Sequence, residues 1–183
     1  MNFEVLNDFE FHSAVPEEII EKYKDTVPPE LLEIWKEYGF GSFMNGYLKI
    51  INPDDYRQIL DDSYFASDES VPIFVTGFAD IVTWEENEFV VVVKYRKKGV
   101  EVLFADFNGF MEDISITSEF WAKEFDNIQY TEAIGKLGGI KYDECLYYTP
   151  HLFLGGAEKA ENLKKGALNV SLDIMIQFIG RIE

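Results

Sequence analysis

The chain has 183 residues, of which 47% are hydrophobic and 16% aromatic, so it can bury a sizeable core and its composition excludes disorder as the default state. Its 16 basic and 34 acidic residues give a formal net charge of −18, which argues against direct binding to nucleic acid or anionic lipid. A single cysteine, Cys145, excludes a disulfide framework and any cysteine-based zinc cluster.

The first residues indicate where the protein acts. Residues 1–12 (MNFEVLNDFEFH) carry acids where a secretory signal needs a basic patch followed by an apolar stretch. The longest apolar run is FVVVV at 89–93, which is too short to span a bilayer. We therefore expect a cytoplasmic protein with no membrane partner, and the lone cysteine fits a reducing compartment.

The N-terminal third predicts helices followed by a strand. Proline and acids at 16–18 and again at 28–30 are typical of helix starts, and apolar residues recur after each at helical spacing. Residues 47–51 (YLKII) predict a strand. Asn52 is a natural N-cap for a short helix that begins at Pro53 and carries acids on its outer face.

From Val71 onward the periodicity is that of strands. Four β-branched and aromatic runs, separated by short polar or glycine-containing breaks, are VPIFVTGF, IVTWE, FVVVVKYR and VEVLFADF. These runs predict a meander of mostly antiparallel strands. Residues 97–99 (KKG) supply one hairpin turn, and Asn108-Gly109 predicts another.

The C-terminal part is expected to be mainly helical. The patterns predict helices over 117–125, capped by Thr117 or Ser118, and over 130–137, ended by glycines. Residues 142–156 are apolar and contain a proline and paired glycines, so they predict an extended segment.

Together these elements predict an α+β fold, in which N-terminal helices pack on a mostly antiparallel sheet and a helical part follows. Residues 170–179 fit a helix or a strand, and their length and glycine ending favour a helix. The pattern changes near 112–116, which predicts one domain over 1–112 and another over 113–183. No flexible linker separates them, so we expect the two to pack together.

Motifs for catalysis or cofactor binding are sparse. The loop 39–44 (GFGSFM) resembles a dinucleotide fingerprint, but Met44 stands where the third glycine belongs and the loop follows a helix. A helix cap followed by a close approach to the sheet is the preferred interpretation. The chain has no P-loop, HExxH pair, EF-hand loop or GxSxG elbow, so we expect no cofactor and no metal.

A cysteine nucleophile is the remaining catalytic hypothesis. It requires an imidazole within hydrogen-bond reach of the thiol, and His12 and His151 are the chain's histidines. Cys145 lies among leucine and tyrosines, where a small buried apolar residue is the usual explanation. We expect no enzyme; a hydrolase would require a pocket with converging perturbed groups.

The negative charge is uneven along the chain. Residues 1–90 hold 5 basic and 20 acidic residues, whereas residues 91–183 hold 11 and 14. From Asp54 to Glu69 six acids accompany one base. Tyr64 and Phe65 lie within this stretch, where the lack of periodicity predicts a surface loop. Exposed rings among carboxylates suit the capture of a basic protein, and rings folded back onto the core are the equal alternative.

Eight residues are therefore candidates for partner binding, six of them carboxylates and two of them aromatic. They are Asp54, Asp55, Asp61, Asp62, Tyr64, Phe65, Asp68 and Glu69. The other interpretation of this charge is a surface that only keeps the protein soluble. Because carboxylates are abundant, no pair of them is assigned as a general acid and base.

Two long segments resemble known bacterial domains. Residues 15–56 (VPEEIIEKYKDTVPPELLEIWKEYGFGSFMNGYLKIINPDDY) and 71–85 (VPIFVTGFADIVTWE) resemble the GAD-like domain. Residues 154–170 (LGGAEKAENLKKGALNV) and 176–182 (IQFIGRI) resemble the C-terminal domain of unknown function that commonly accompanies it. The resemblance implies an α+β fold broadly similar to the SMI1/KNR4-like immunity fold, and it brings no established catalytic residue.

The resemblance also implies a function, that of an immunity protein which binds and neutralises a toxin, in particular a type VI secretion effector with nuclease activity. An acidic protein can occupy the basic cleft of a nuclease by charge mimicry, with fast and salt-sensitive association. The expected partner is thus a basic toxin, and whether the chain also self-associates stays open. The alternative is a regulatory module that binds a small ligand or a housekeeping partner in a pocket between sheet and helices.

Overall fold

A computed structural model describes residues 3–114 and 119–183 as an α+β fold, which confirms the predicted class. Seven strands of these residues form one antiparallel sheet in chain order, and two more form a small second sheet. The strands are β1 Glu10–Ser13, β2 Phe40–Phe43, β3 Leu48–Ile50, β4 Ser70–Thr76, β5 Ile81–Glu85, β6 Phe89–Lys94, β7 Gly99–Phe104, β8 Glu144–Tyr148 and β9 Leu163–Ala167. The α-helices are α1 Glu17–Tyr23, α2 Pro29–Glu37, α3 Pro53–Ser63, α4 Phe107–Asp113, α5 Glu119–Phe125, α6 Asn127–Leu137 and α7 Leu168–Ile179.

The large sheet separates two apolar layers, because successive side chains of a strand point to opposite faces. Phe74 packs in one layer with Trp35 and Trp121, beneath the helices α1, α2, α4, α5 and α6. Val75, the next residue, packs in the other layer with residues of α3 and α7. Both faces are covered, which explains why the run that forms β6 is apolar almost throughout.

The C-terminal part packs directly on the N-terminal sheet. The Leu146 backbone N–H in β8 donates to the Gly77 carbonyl at 2.7 Å, at the turn between β4 and β5. The hydroxyl of Tyr47 donates to the Phe125 carbonyl at 2.6 Å, so a buried tyrosine beside β3 holds the end of α5. These contacts place helices of both parts around one continuous core.

Most predicted elements are confirmed, and one turn prediction is wrong. Asn108 and Gly109 do not form a hairpin turn but lie in the first turn of α4. The side chain of Asp106 accepts a hydrogen bond from the Gly109 N–H at 2.5 Å and so caps this helix. The other predicted turn is confirmed, since Lys98 adopts a left-handed conformation between β6 and β7.

The C-terminal predictions are confirmed for α6, α7 and the extended segment that contains β8. The strand β9 was not predicted, because its sequence LKKGA has neither β-branched residues nor alternation. It pairs with β8 in antiparallel register. The predicted cap at Thr117 or Ser118 lies outside the described residues.

Candidate partner-binding surface

Helix α3 carries four of the six predicted carboxylates. Asn52 caps its start, where the side-chain oxygen accepts a hydrogen bond from the Asp54 N–H at 3.1 Å. Leu60 is fully buried on the inner face of the helix. The solvent-facing side bears Asp54, Asp55, Asp61 and Asp62, all exposed.

Two of these carboxylates already have cationic neighbours. The Lys22 ammonium lies 2.6 Å from Asp54, and the Tyr23 hydroxyl donates to the same carboxylate at 2.6 Å. Hydrogen bonds from Lys22 and then Tyr23 lower the pKa of Asp54. Arg57 contacts Asp61 at 2.9 Å one turn along the helix. A partner would have to compete with these groups, which weakens the contribution of both carboxylates to binding.

Arg57 also positions the last two predicted carboxylates. It donates to the Ser67 carbonyl at 2.8 Å and to the Ser70 carbonyl at 2.6 Å, which holds the 3-10 helix Ser67–Glu69 against α3. Asp68 and Glu69 are exposed there and form no ion pair with any described residue. The predicted surface loop is therefore an ordered extension of the helix.

Of the two alternatives for the rings, Tyr64 follows the second and folds back onto the core. Its ring is buried, and its backbone forms a parallel bridge with Ile182 near the C-terminus. The Phe65 N–H donates to the Ile182 carbonyl at 3.1 Å, and the Ile182 N–H donates to the Ser63 carbonyl at 2.8 Å. The C-terminal tail thus covers Tyr64 and leaves Phe65, which is 56% exposed, as the aromatic residue of this surface.

Three further carboxylates lie beside the predicted ones. Because β4 and β5 are antiparallel, Ser70 pairs with Glu85, and the Glu86 N–H lies 3.4 Å from the Glu69 carbonyl. Glu86 and Glu88, in the turn between β5 and β6, are exposed. The sequence held this signal. Residues 84–89 (WEENEF) follow the predicted strand IVTWE, and in an antiparallel pair the end of that strand lies opposite the start of the preceding strand VPIFVTGF, next to Glu69.

We call these nine carboxylates the acidic surface. Among the described residues, the cations that form ion pairs with these carboxylates are Lys22 and Arg57, and Arg181 donates to the nearby Tyr64 carbonyl, so the surface has a large excess of negative charge. Its carboxylates are Asp54, Asp55, Asp61, Asp62, Asp68, Glu69, Glu85, Glu86 and Glu88.

Glu85 shows that these carboxylates interact. Its pKa is raised, first by partial burial and then by the nearby charges of Glu86 and Glu69. Hydrogen bonds from Thr83, at 2.7 Å, and from Tyr64, at 3.4 Å, oppose the shift. Mutual repulsion of this kind destabilises the free protein and is relieved when a cation binds, which favours a cationic partner.

A second group of charges is buried where the two parts of the chain meet. Arg96 is 5% exposed and donates to Asp80 at 2.7 Å and to Asp126, while its guanidinium lies 4.7 Å from the Phe78 ring centre. Burial alone would lower the pKa of Arg96, but Asp80 and Asp126 outweigh it and raise the pKa. This cluster joins the sheet to the start of α6, and its role is structural.

The structure does not assemble the catalytic groups that a nucleophile needs. Cys145 is buried, and burial raises the pKa of its thiol, which opposes thiolate formation. His12 stacks on Tyr142 with ring centres 4.0 Å apart, and His151 stacks on Phe153 at 4.9 Å. Among residues 3–114 and 119–183, no three histidine, cysteine or acidic side chains are grouped to hold a metal ion.

Cavities near Arg96 differ greatly in size. An enclosed cavity beside Phe78, Arg96 and Tyr148 has a volume of about 10 Å³, which is room for about one water molecule. A more open cleft of about 450 Å³ lies between Lys98 and the rings of Phe153 and Phe178.

No helix in the described part of the chain has both the length and the apolar character needed to cross a bilayer.

Comparison with known families identifies the class of protein that this fold and surface define. Residues 2–96 match the GAD-like domain family, and the chain belongs to that family. Residues 105–179 match the C-terminal domain of the T6SS immunity protein Tdi1. The second match supports the role of an immunity protein, and together the two confirm the resemblance seen in the sequence.

A solved structure shows the same fold. The crystal structure of Atu4351 from Agrobacterium tumefaciens superposes with a TM-score of 0.71 at 18% sequence identity, covering 96% of this chain and 89% of that one. No curated protein sequence matches the chain significantly. The structural similarity extends over both matched regions, so the two parts form one architecture.

Proposed function

We propose that this chain is the immunity protein of a type VI secretion toxin, and that it neutralises the toxin by binding it through the acidic surface. The observation that carries the proposal is the match of residues 105–179 to the Tdi1 immunity domain. The excess of carboxylates beside Phe65 supports the mode of binding. In this account the protein acts without catalysis, in the cytoplasm of the cell that makes the toxin.

The proposed toxin is a nuclease with a cationic cleft. Nucleases bind phosphate backbones with lysine and arginine side chains, so their clefts attract carboxylates as well. A surface with nine carboxylates would raise the rate of encounter with such a cleft, and this increase in rate would become smaller as the salt concentration rises. Phe65 would supply apolar contact area once the two proteins meet.

The test measures nuclease inhibition by the purified chain. The probe is the product of the reading frame adjacent to this chain's own, assayed on plasmid DNA and on RNA. We expect complete inhibition at one equivalent of the chain. Hydrolysis that continues at a tenfold excess of the chain would contradict the proposed function.

Two variants separate the surface from the overall charge. The surface variant carries D61N, D62N, D68N and E69Q. The control variant removes the same charge from exposed positions of helices on the opposite face of the sheet through E4Q, E37Q, E112Q and E132Q. Only the surface variant should require a higher concentration than wild type to inhibit the nuclease. Equal inhibition by both variants would contradict the proposal that the toxin binds the acidic surface.

A further inference from the structure

Two large exposed rings adjoin the C-terminal tail, residues 180–183, one through a backbone hydrogen bond to Ile182 and the other just before the tail in sequence. Phe65 is 56% exposed and Phe178, in the last turn of α7, is 64% exposed. Leu154, which is 58% exposed, follows Phe153 in the same region of the chain. Aromatic residues dominate the energetics of interfaces, and grouped apolar side chains that stay exposed mark contact sites.

The tail keeps the two rings within one interface. It runs beside Tyr64 through the bridge to Ile182, so neighbouring backbones there are about 5 Å apart. Ile182 lies four positions after Phe178, a span of at most about 14 Å. The Cα atoms of Phe65 and Phe178 are therefore within about 23 Å, whereas a standard interface of about 800 Å² per partner is about 30 Å across.

Phe178 is held in place by other rings and forms a wall of a cleft. It stacks on Phe153 with ring centres 5.3 Å apart, and Phe153 stacks in turn on His151 at 4.9 Å. The adjoining cleft of about 450 Å³ is lined by these phenylalanines together with Leu152 and Ile179, and also by four charged residues, Arg96, Lys97, Lys98 and Glu158. The apolar part of this cleft, formed by the two phenylalanines with Leu152 and Ile179, can accept a large apolar side chain from a partner without prior rearrangement.

We propose that the toxin binds across the C-terminal tail, so that the acidic surface and the cleft at Phe178 contact the same partner. This inference rests on the proposed function. The acidic surface steers a cationic toxin, while Phe65 and the Phe178 cleft hold an apolar segment of it. Both parts of the chain then contribute to one interface, the GAD-like part through charge and the C-terminal part through desolvated contact area.

A second copy of the chain fits this face less well than a basic toxin. Each chain carries a net charge of −18, so two copies repel each other. The cations of the cleft could not neutralise the acidic surface of another copy, because Arg96 and Lys97 already pair with carboxylates of their own chain and only Lys98 forms no ion pair with a described residue. A cationic protein with a protruding apolar side chain complements the acidic surface through its charge and the phenylalanines of the cleft through that side chain.

Dissociation rates test the inference. The probe is the same adjacent-frame protein, immobilised as a nuclease-inactive variant, with F65A, F178A and the double variant as analytes. The matched control is I128A, which truncates a residue 63% exposed on α6, on the other face of the sheet. Thermal unfolding followed by circular dichroism establishes that each variant is folded.

We expect F178A and F65A each to raise the dissociation rate at least tenfold, with association within twofold of wild type and I128A unchanged. If F178A dissociates at the wild-type rate while the surface variant associates slowly, the inference is overturned and the proposed function stands. A wild-type dimer in light scattering that F178A abolishes would also overturn it, because the occupant would then be a second copy. Absence of any wild-type binding would instead overturn the proposed function.

Discussion

Arg96 and Asp126 form a buried ion pair that joins the end of the N-terminal sheet to the beginning of α6. Arg96 also pairs with Asp80 at 2.7 Å, so one guanidinium neutralises two buried carboxylates from different parts of the chain. Arg96 is therefore a central contact between the two parts, beside the hydrogen bond of Tyr47 to Phe125 and the ion pair of Lys94 with Glu124.

Removal of Arg96 should therefore destabilise the whole protein. We expect R96M to lower the free energy of unfolding by about 3–5 kcal/mol, because Asp80 would be left buried without a cation and Asp126 would keep only Lys97, at 3.0 Å. Urea unfolding at pH 7 measures the change. Its control is K98M, which removes an exposed cation two residues away; a loss below about 1 kcal/mol in R96M would contradict the structural role.

Removal of the Lys49 charge, in contrast to removal of Arg96, should stabilise the protein. Lys49 is fully buried, with one hydrogen bond, to the Gly46 carbonyl at 3.4 Å, and burial lowers its pKa to about 8. Its pKa in the unfolded chain is the ordinary value of 10.5, so the unfolded state binds more protons between pH 8 and 10.5. The destabilising contribution of Lys49 is complete below pH 8 and disappears as the pH rises above 10.5.

K49M removes that contribution while conserving volume. We expect it to raise the free energy of unfolding by up to about 3 kcal/mol at pH 7, with a smaller gain as the pH approaches 10.5. The difference between K49M and wild type, measured from pH 7 to 10.5, cancels the contributions of the buried tyrosines. A gain that does not change with pH would refute the titration of Lys49.

Two glycines should respond to alanine in opposite ways. A Cβ at Gly41 would lie 2.3 Å from the Glu10 carbonyl oxygen, where β2 meets β1. We expect G41A to cost about 2 kcal/mol or more through separation of these strands. Gly135 is exposed within α6 with open space around it, so G135A should stabilise the protein by about 1 kcal/mol. Thermal unfolding of both variants checks the contrast.

Cys145 should be unreactive in the folded protein. Its side chain is buried and burial raises its thiol pKa, so little thiolate is exposed to a reagent. We expect reaction with Ellman's reagent at pH 8 to be at least a hundredfold slower in native buffer than in 6 M guanidinium chloride. Equal rates would show that the thiol is accessible and would support the hypothesis of a cysteine nucleophile.

Sequence patterns predicted the elements whose signals are local. The meander from β4 to β7 and the helix starts at α2 and α3 follow from periodicity and caps within a few residues. The hairpin turn predicted at Asn108 is wrong because Asp106, two residues earlier, offers a helix cap that competes with a hairpin. Local signals of equal strength are resolved by what the segment packs against.

The candidate site could be predicted only in part, because it is formed by contacts between distant parts of the chain. Tyr64 is buried because Ile182, far along the chain, pairs with it, and no local pattern records that pairing. Glu85 joins the acidic surface through strand pairing, which antiparallel register could have predicted. The exposure of Phe178 was also hidden, since an apolar helix at the end of a chain ordinarily predicts core packing.

The salt dependence of association tests most directly whether the acidic surface binds the toxin. Association of the adjacent-frame protein is measured by stopped flow between about 20 and 500 mM NaCl, a range over which electrostatic screening changes strongly. We predict that the surface variant associates at least tenfold more slowly than wild type at low salt and with a shallower salt dependence, while the control variant follows wild type. Identical rates and slopes for the surface and control variants would contradict the account.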